Sequence, residues 1–390
     1  MTITFPDGFL WGTATAAHQT EGGNWNNDWW AWEHNPDSGC AEVSGDACDH
    51  FWRYPSDIKM LADLGFGAYR FSLEWSRIEP EAGEYSRNAL DHYKRMIESC
   101  REHDLVPVVT YHHFTSPRWV AAEGGWERPE TAEHFARFVE RCVAHFGDVV
   151  GIHCTLNEPN VVAVLGYYLG MFPPGKSDED LTIQATDVLN RGHRLAYEAI
   201  KAGPGNAPAG MTLSMHEFET QPGGEAQTER ARLRMEDVWL DAAKGDDYFG
   251  VQTYSRMRFG PDGILGPADG VPVLQMGYEY WPQALETTIR RAAEVTGSPV
   301  YVTENGIGTA DDTQRVQYVT EALQAVGRCL DDGIDVRGYF YWSLMDNFEW
   351  ALGYRPTFGL VGVDRATQVR TPKPSASWLG GIARANRLEA

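Results

Sequence analysis

The chain has 390 residues, with 55 acidic against 33 basic side chains and a formal charge of −22 at neutral pH. A surface this negative repels phosphates, which argues against nucleic acid as a partner and against an anionic membrane. No apolar run reaches the ~20 residues a membrane span needs. The opening MTITFPDGFLWG lacks the basic-then-apolar pattern of a secretory signal. Six scattered cysteines without any CxxC suit reduced thiols, so a cytoplasmic location is expected.

In chain order, short β-type runs alternate with longer segments of helical period. The predicted strands are Phe9 to Ala16, Gly67 to Leu73, Val106 to His112 and Ile152 to Leu156. Four more follow: Ala209 to Met215, Tyr248 to Tyr254, Pro299 to Thr303 and Gly338 to Leu344. Most are rich in Val, Ile, Tyr, Phe and Thr and bounded by Gly, Pro or polar clusters. Helical patterns fall at Ser56 to Leu64, with Ser56 as candidate N-cap, at Asp91 to His103, and at Glu130 to Phe146 between Pro129 and Gly147. Further helices are predicted at Thr182 to Lys201, Glu229 to Leu240, Gln283 to Thr296, Thr313 to Asp332 and Ser375 to Ala385. The Gly- and Pro-rich stretch Gly260 to Pro272 reads as a long surface loop. Eight strands, each followed by a helix, predict an α/β fold: a single-domain (β/α)8 TIM barrel over residues 1–390.

Active sites of such barrels lie at the C-terminal strand ends. Those ends carry Arg70, His113, Asn157 and Glu158, Tyr254, Glu304 and Trp342. Two glutamates at one mouth, each beside an Asn, form the carboxyl pair that cleaves a glycosidic bond: one protonates the leaving oxygen, the other attacks or stabilises the anomeric carbon. The adjacent amides of Asn157 and Asn305 are candidates to bind a sugar hydroxyl or the carboxylate itself. Aromatic residues make up 12% of the chain, with 14 Trp, and a carbohydrate site uses such rings as stacking faces among polar neighbours. No cofactor is expected, because the 12 His form no HExxH and no spaced cluster. The sequence carries no signal for an oligomeric state.

The segments FLWGTATAAHQTEG, SGDACDHFWRYPSDIKMLADLG, YRFSLEWSRIEP, TYHHFTSP, TLNEP, YVTENG, YFYWSLMDNFEWALGY and FGLVGVDRATQVRTPKPSA closely resemble glycoside hydrolase family 1, the β-glucosidase family, over essentially the whole chain. The resemblance implies a retaining β-glycosidase acting on a small-molecule or oligosaccharide β-glycoside, with Glu158 as acid/base and Glu304 as nucleophile. It implies Arg70 and Tyr254 as supports that keep Glu304 ionised. It places Gln19, His113, Asn157, Glu349 and Trp350 on ring hydroxyls, with Asn157 at the 2-hydroxyl and Trp342 beneath the ring, and makes the Trp342–Ser343 peptide cis. Glu349 at the 4- and 6-hydroxyls favours a neutral sugar over a 6-phosphate. Glucose, galactose and fucose remain alternatives. Transglycosylation on the same intermediate and a non-catalytic sugar-binding relative are the competing functions; the latter is disfavoured because both glutamates are present.

Departures from the family pattern are Gln252 where Asn is usual and Phe114 where Trp is commoner, which removes an indole N–H. The aromatic segment DWWAWEH (Asp28 to His34) is expected near the mouth. Loops between Tyr254 and Glu304, and just after Glu304, are compressed, which predicts an open entrance for bulky or varied aglycones.

Overall fold

The computed structural model describes residues 2–389. Eight parallel strands close into a barrel: β1 Leu10–Ala14, β2 Ala68–Ser72, β3 Val106–His112, β4 Ile152–Asn157, β5 Ala209–Ser214, β6 Tyr248–Gln252, β7 Val300–Asn305 and β8 Val336–Trp342. Each pairs with its neighbours in sequence, and β8 returns to pair with β1 through Trp342 and Ala14. Every predicted strand is present. The two faces of these strands are both covered, so they read as near-continuous apolar runs that a sequence reveals well.

The main helices are α1 His50–Leu64, α2 Arg87–Glu102, α3 Glu130–Phe146, α4 Glu179–Ala202, α5 Glu225–Arg232, α6 Ala284–Thr296, α7 Asp312–Asp331 and α8 Pro374–Ala385. Helix α3 keeps its predicted bounds. Helix α1 starts six residues before the predicted Ser56, and Ser56 is no cap; its hydroxyl bonds Arg53 O at 2.9 Å. Pro55 lies inside the helix, so it marks no boundary. The first turn is instead tied down by His50, whose ring contacts Asp57 Oδ2 at 2.8 Å and Tyr69 Oη at 2.9 Å. Helix α4 starts at Glu179 because Asp178 accepts from Leu181 N at 3.0 Å, a side-chain cap. The predicted helix Glu229 to Leu240 is interrupted: α5 gives way to a π-helical segment, Leu233–Asp237, before helix resumes at Val238–Ala242. A second π segment spans Val162–Tyr168. Such segments recur at functional sites.

The predicted loop Gly260 to Pro272 is corrected in its first half. Arg256–Gly260 and Gly263–Leu265 form an antiparallel hairpin, and the first of these strands also pairs with Glu217–Thr220. Its turn is Pro261-Asp262, followed by Gly263 at φ 127°, a conformation glycine alone adopts comfortably.

Inside the barrel, Ala68, Val108, Ile152, Tyr248, Tyr301 and Phe340 pack into an apolar floor. Side chains alternate along a strand, so the residues two further along on the same side point into the layer above. That places Arg70 above Ala68 and Gln252 two steps above Tyr248. The floor leaves no room for more atoms: a Cβ on Gly12 would run into the Phe340 ring and come 2.9 Å from Ala68 O.

The six cysteines are unpaired. Among the described residues, no helix is long and apolar enough to cross a membrane.

Gly12→Ala is expected to lower unfolding free energy by about 1–3 kcal/mol through overpacking. Gly381→Ala, an open position in α8, is expected to raise it by about 0.5–1 kcal/mol through helix propensity. Denaturant unfolding of the two variants checks the contrast, and a neutral Gly12→Ala would contradict the packed floor.

Candidate active site

At the C-terminal mouth of the barrel lies a cavity of about 440 Å³ whose walls include Gln19, His113, Phe114, Glu158, Tyr254, Glu304, Trp342, Glu349 and Trp350. Arg70 and Asn157 lie one layer deeper, both fully buried. Arg70 sits within β2 and not after its end, as the sequence reading had it.

Two register shifts set up this arrangement. On β7, Tyr301 faces the barrel floor, and strict alternation would turn Glu304 outward. The ladder to β6 shifts between Val302 and Glu304, and the ladder to β8 between Val302 and Asn305. The extra residue re-aims the strand, so Glu304 reaches the cavity and Asn305 faces away. Asn305 is therefore corrected as a site candidate: its amide donates to Thr253 O at 2.6 Å, and its carbonyl accepts from Tyr339 Oη at 2.8 Å. A matching shift between Cys154 and Asn157 on β4 turns Asn157 inward against Thr212.

Glu304 is held from two sides. Arg70 Nη1 donates to its Oε1 at 2.5 Å, and Tyr254 Oη donates to its Oε2 at 2.6 Å. Arg70 Nη2 donates to Asn157 Oδ1 at 2.5 Å, and that oxygen also accepts from Gln252 Nε2 at 3.0 Å and Thr212 Oγ1 at 3.3 Å. The longer arm of Gln252 thus spans to Asn157. Asn157 Nδ2 faces His113 Nε2 at 3.1 Å; donation in that direction puts the His113 proton on Nδ1, a buried atom without a protein partner. Burial, with Arg70 nearby, pushes the His113 imidazole far below its ordinary pKa, so it is neutral.

Glu158 follows β4 at φ 43°, with its backbone N–H on Thr212 O at 2.9 Å and Pro159 opening the next turn. Phe114 (φ 70°) and Trp350 (φ 52°) also hold left-handed backbone at the cavity wall. This conformation costs of order 1–3 kcal/mol per residue and persists where surrounding contacts enforce it.

The two carboxyls differ in electrostatics. Burial drives Glu158 well above the usual carboxyl range, and the charge of Glu304 adds to the effect. Burial also raises Glu304, but Arg70 and the Tyr254 hydroxyl pull it back down. Of the pair, the proton belongs on Glu158 and the charge on Glu304.

Behind the walls, Gln19 Nε2 contacts Phe348 O at 2.7 Å, Asn347 Oδ1 at 3.1 Å and Glu349 Oε2 at 3.3 Å, while Trp342 Nε1 reaches Glu349 Oε1 at 3.3 Å. Gln19 Oε1 is buried and unpartnered. Burial, with Glu304 adding to it, raises Glu349 well above the carboxyl range. Trp342 stacks on His113 at 5.9 Å between centroids, and the Trp342–Ser343 peptide is cis. Phe114 packs on Trp350 at 5.0 Å. From the DWWAWEH segment, Trp29 lies behind Trp350 at 4.6 Å, fully buried, and is no part of the cavity wall. The outer wall was missed from sequence: Leu165, Met235, Met257, Phe259, Ile264 and Met276 belong to no motif. Only their placement after strand ends hinted at them.

A profile described as "Glycosyl hydrolase family 1" matches residues 1–259 and 265–388. Among curated relatives, "Beta-glucosidase A" of Thermotoga maritima is 32% identical over an alignment of 440 positions, covering 99% of each chain. The "Bifunctional beta-D-glucosidase/beta-D-fucosidase" of Bifidobacterium breve is 33% identical, covering 97% of this chain and 98% of its own. Among solved structures, a β-glycosidase superposes with a TM-score of 0.93 at 49% identity, over 99% of this chain and 98% of that one. The β-glucosidase from Thermotoga maritima in complex with glucoimidazole gives 0.92 at 30% identity, over 98% and 99%. The chain belongs to glycosyl hydrolase family 1 and is a β-glycosidase of the β-glucosidase type.

Glu158 binds its proton more tightly in the folded chain than in the unfolded one. The stability it contributes is therefore present at low pH and lost as pH rises through its raised folded value. Glu158→Gln lacks that titration, so its Tm relative to wild type is expected to climb as pH is raised above the ordinary carboxyl range. Parallel thermal melts check this, and a pH-independent difference would contradict it.

Proposed function

We propose that the enzyme hydrolyses β-glycosides with retention by double displacement, Glu304 acting as nucleophile and Glu158 as acid/base, and that residues 1–390 serve as one catalytic domain. The observation that carries the assignment is the unequal support of the two carboxyls: Arg70 and Tyr254 occupy both oxygens of Glu304, whereas Glu158 has no cation bonded to it and is raised further.

In the first step Glu304 attacks the anomeric carbon as Glu158 gives its proton to the departing oxygen. The glycosyl ester that forms is neutral, so Glu158 loses the negative neighbour that helped to raise it. It then takes a proton from water, which attacks the anomeric carbon from the same face the aglycone left. The sugar site is the polar side of the cavity: Gln19, His113 and Glu349, with the Trp342 ring as apolar platform and Trp350 and Phe114 beside it. Asn157 is one layer down, where its amide is positioned for the 2-hydroxyl. The relatives' names and the glucoimidazole complex support a glucose- or fucose-like glycone. The sugar side of the cavity, with Gln19, a neutral His113 and Glu349, offers no cation to a 6-phosphate. The unpaired thiols suit a reducing, cytoplasmic setting.

Glu304→Gln is expected to reduce kcat on the order of 10³-fold or more with every leaving group. Glu158→Gln should be comparably poor on alkyl glycosides yet partly spared on dinitrophenyl glycosides, whose departure needs no proton. Equal losses of the two variants across both substrate types would contradict the assignment. Tyr254→Phe removes a donor that lowers Glu304, so the acid limb of the kcat/KM–pH profile should move to higher pH. The basic limb, set by Glu158, should stay nearly fixed. A shift confined to the basic limb would reverse the roles.

A further inference from the structure

The cavity is chemically two-sided. Its deep part gathers the carboxyls, Gln19 and His113. Its outer wall is formed by Leu165, Met235, Met257, Phe259, Ile264 and Met276. Leu165 and Met235 come from the two π-helical segments. Met257, Phe259 and Ile264 come from the Arg256–Leu265 hairpin, in which Phe259 and Ile264 are cross-strand partners.

Ile264 is 66% exposed although it borders the cavity, so the hairpin forms an apolar lip. The lip is anchored at its base, where Arg256 pairs with Glu219 and Glu279 and lies 3.4 Å over the Trp281 ring. The hairpin tip, residues 260–264, is also the one interior stretch outside the family match.

Several polar side chains on this side are already engaged. Asn160 Nδ2 donates to Ser214 O at 2.7 Å and Met235 O at 2.9 Å. Ser255 Oγ donates to Glu279 O at 2.7 Å. Arg234 pairs with Glu179 and lies 3.8 Å over the Tyr168 ring. What stays open is Asn160 Oδ1, His216 and the hydroxyls of Ser214, Tyr168 and Tyr278. Burial depresses the His216 ring to a pKa of about 4, which leaves it uncharged.

A second pyranose in this outer part would bring a ring of hydroxyls against hydrocarbon and thioether. Each hydroxyl left without a partner costs desolvation energy, whereas apolar atoms placed there gain from burial. Three methionines give the wall an adaptable shape.

We propose that the outer cavity is an aglycone site for hydrophobic groups, so that the preferred substrates are β-glycosides of extended apolar alcohols or phenols and not β-linked disaccharides, with Met257 and Ile264 as specificity-determining residues. The proposal rests on the glycosidase reading above.

The test is kcat/KM for n-alkyl β-glucosides from ethyl to hexyl, in which the leaving-group chemistry stays constant while apolar length grows, with cellobiose measured alongside. The expected rise is roughly two- to fourfold per methylene that reaches the wall, with hexyl glucoside exceeding cellobiose. Met257→Gln combined with Ile264→Gln should flatten the series, with the loss in kcat/KM largest for hexyl glucoside and smallest for ethyl glucoside. A flat series in the wild type, or cellobiose as the better substrate, overturns the proposal. If ethyl glucoside turnover survives in Glu304→Gln, the catalytic assignment fails instead, so the two failures are separable.

Discussion

The buried ion pair between Arg70 and Glu304 organises the site. As a contribution to stability it counts for little, because desolvating both charges offsets much of their attraction. Its importance is chemical. With a guanidinium at 2.5 Å and the Tyr254 hydroxyl on the other oxygen, Glu304 can keep its charge inside a barrel whose floor is hydrocarbon. That retained charge in turn helps hold the proton on Glu158. One interaction therefore assigns the opposite protonation states that the two steps of the reaction require.

The barrel makes this possible by layering. Its floor of Ala68, Val108, Ile152, Tyr248, Tyr301 and Phe340 excludes water from below. Above it, Arg70, Asn157, Gln252 and Thr212 satisfy one another in a connected network. The glutamates stand on top, one of them on a strained left-handed residue. A polar network of this kind is costly if any member is missing, which ties the chemistry of the mouth to packing deep in the barrel.

Much of this was legible in the chain. The eight strands stood out because strands buried on both faces are continuous apolar runs, and Glu158 and Glu304 stood out because they sit at strand ends. Less visible were features that break a simple period. The bulges that turn Asn157 and Glu304 inward leave no mark in the sequence. Asn305 was misplaced because a neighbour along a strand points to the opposite face. Ser56 resembled a helix cap while lying inside α1, its hydroxyl turned back to Arg53 O. In GPDGILGPADGVP the glycines and prolines suggested a loop, although Pro-Asp-Gly between Phe259 and Ile264 is also a hairpin turn. The outer wall drew on methionines and aliphatics from four separate segments, a combination only folding assembles.

The central claim is that Glu304 forms the covalent bond to the sugar. Incubation with a 2-deoxy-2-fluoro glucoside bearing a good leaving group slows release of the intermediate, and peptide mass spectrometry then locates the attached sugar. The account predicts one glycosylated peptide, containing Glu304, absent from Glu304→Gln. Attachment at Glu158, or rapid turnover to the α-configured product with no attached sugar, would contradict it.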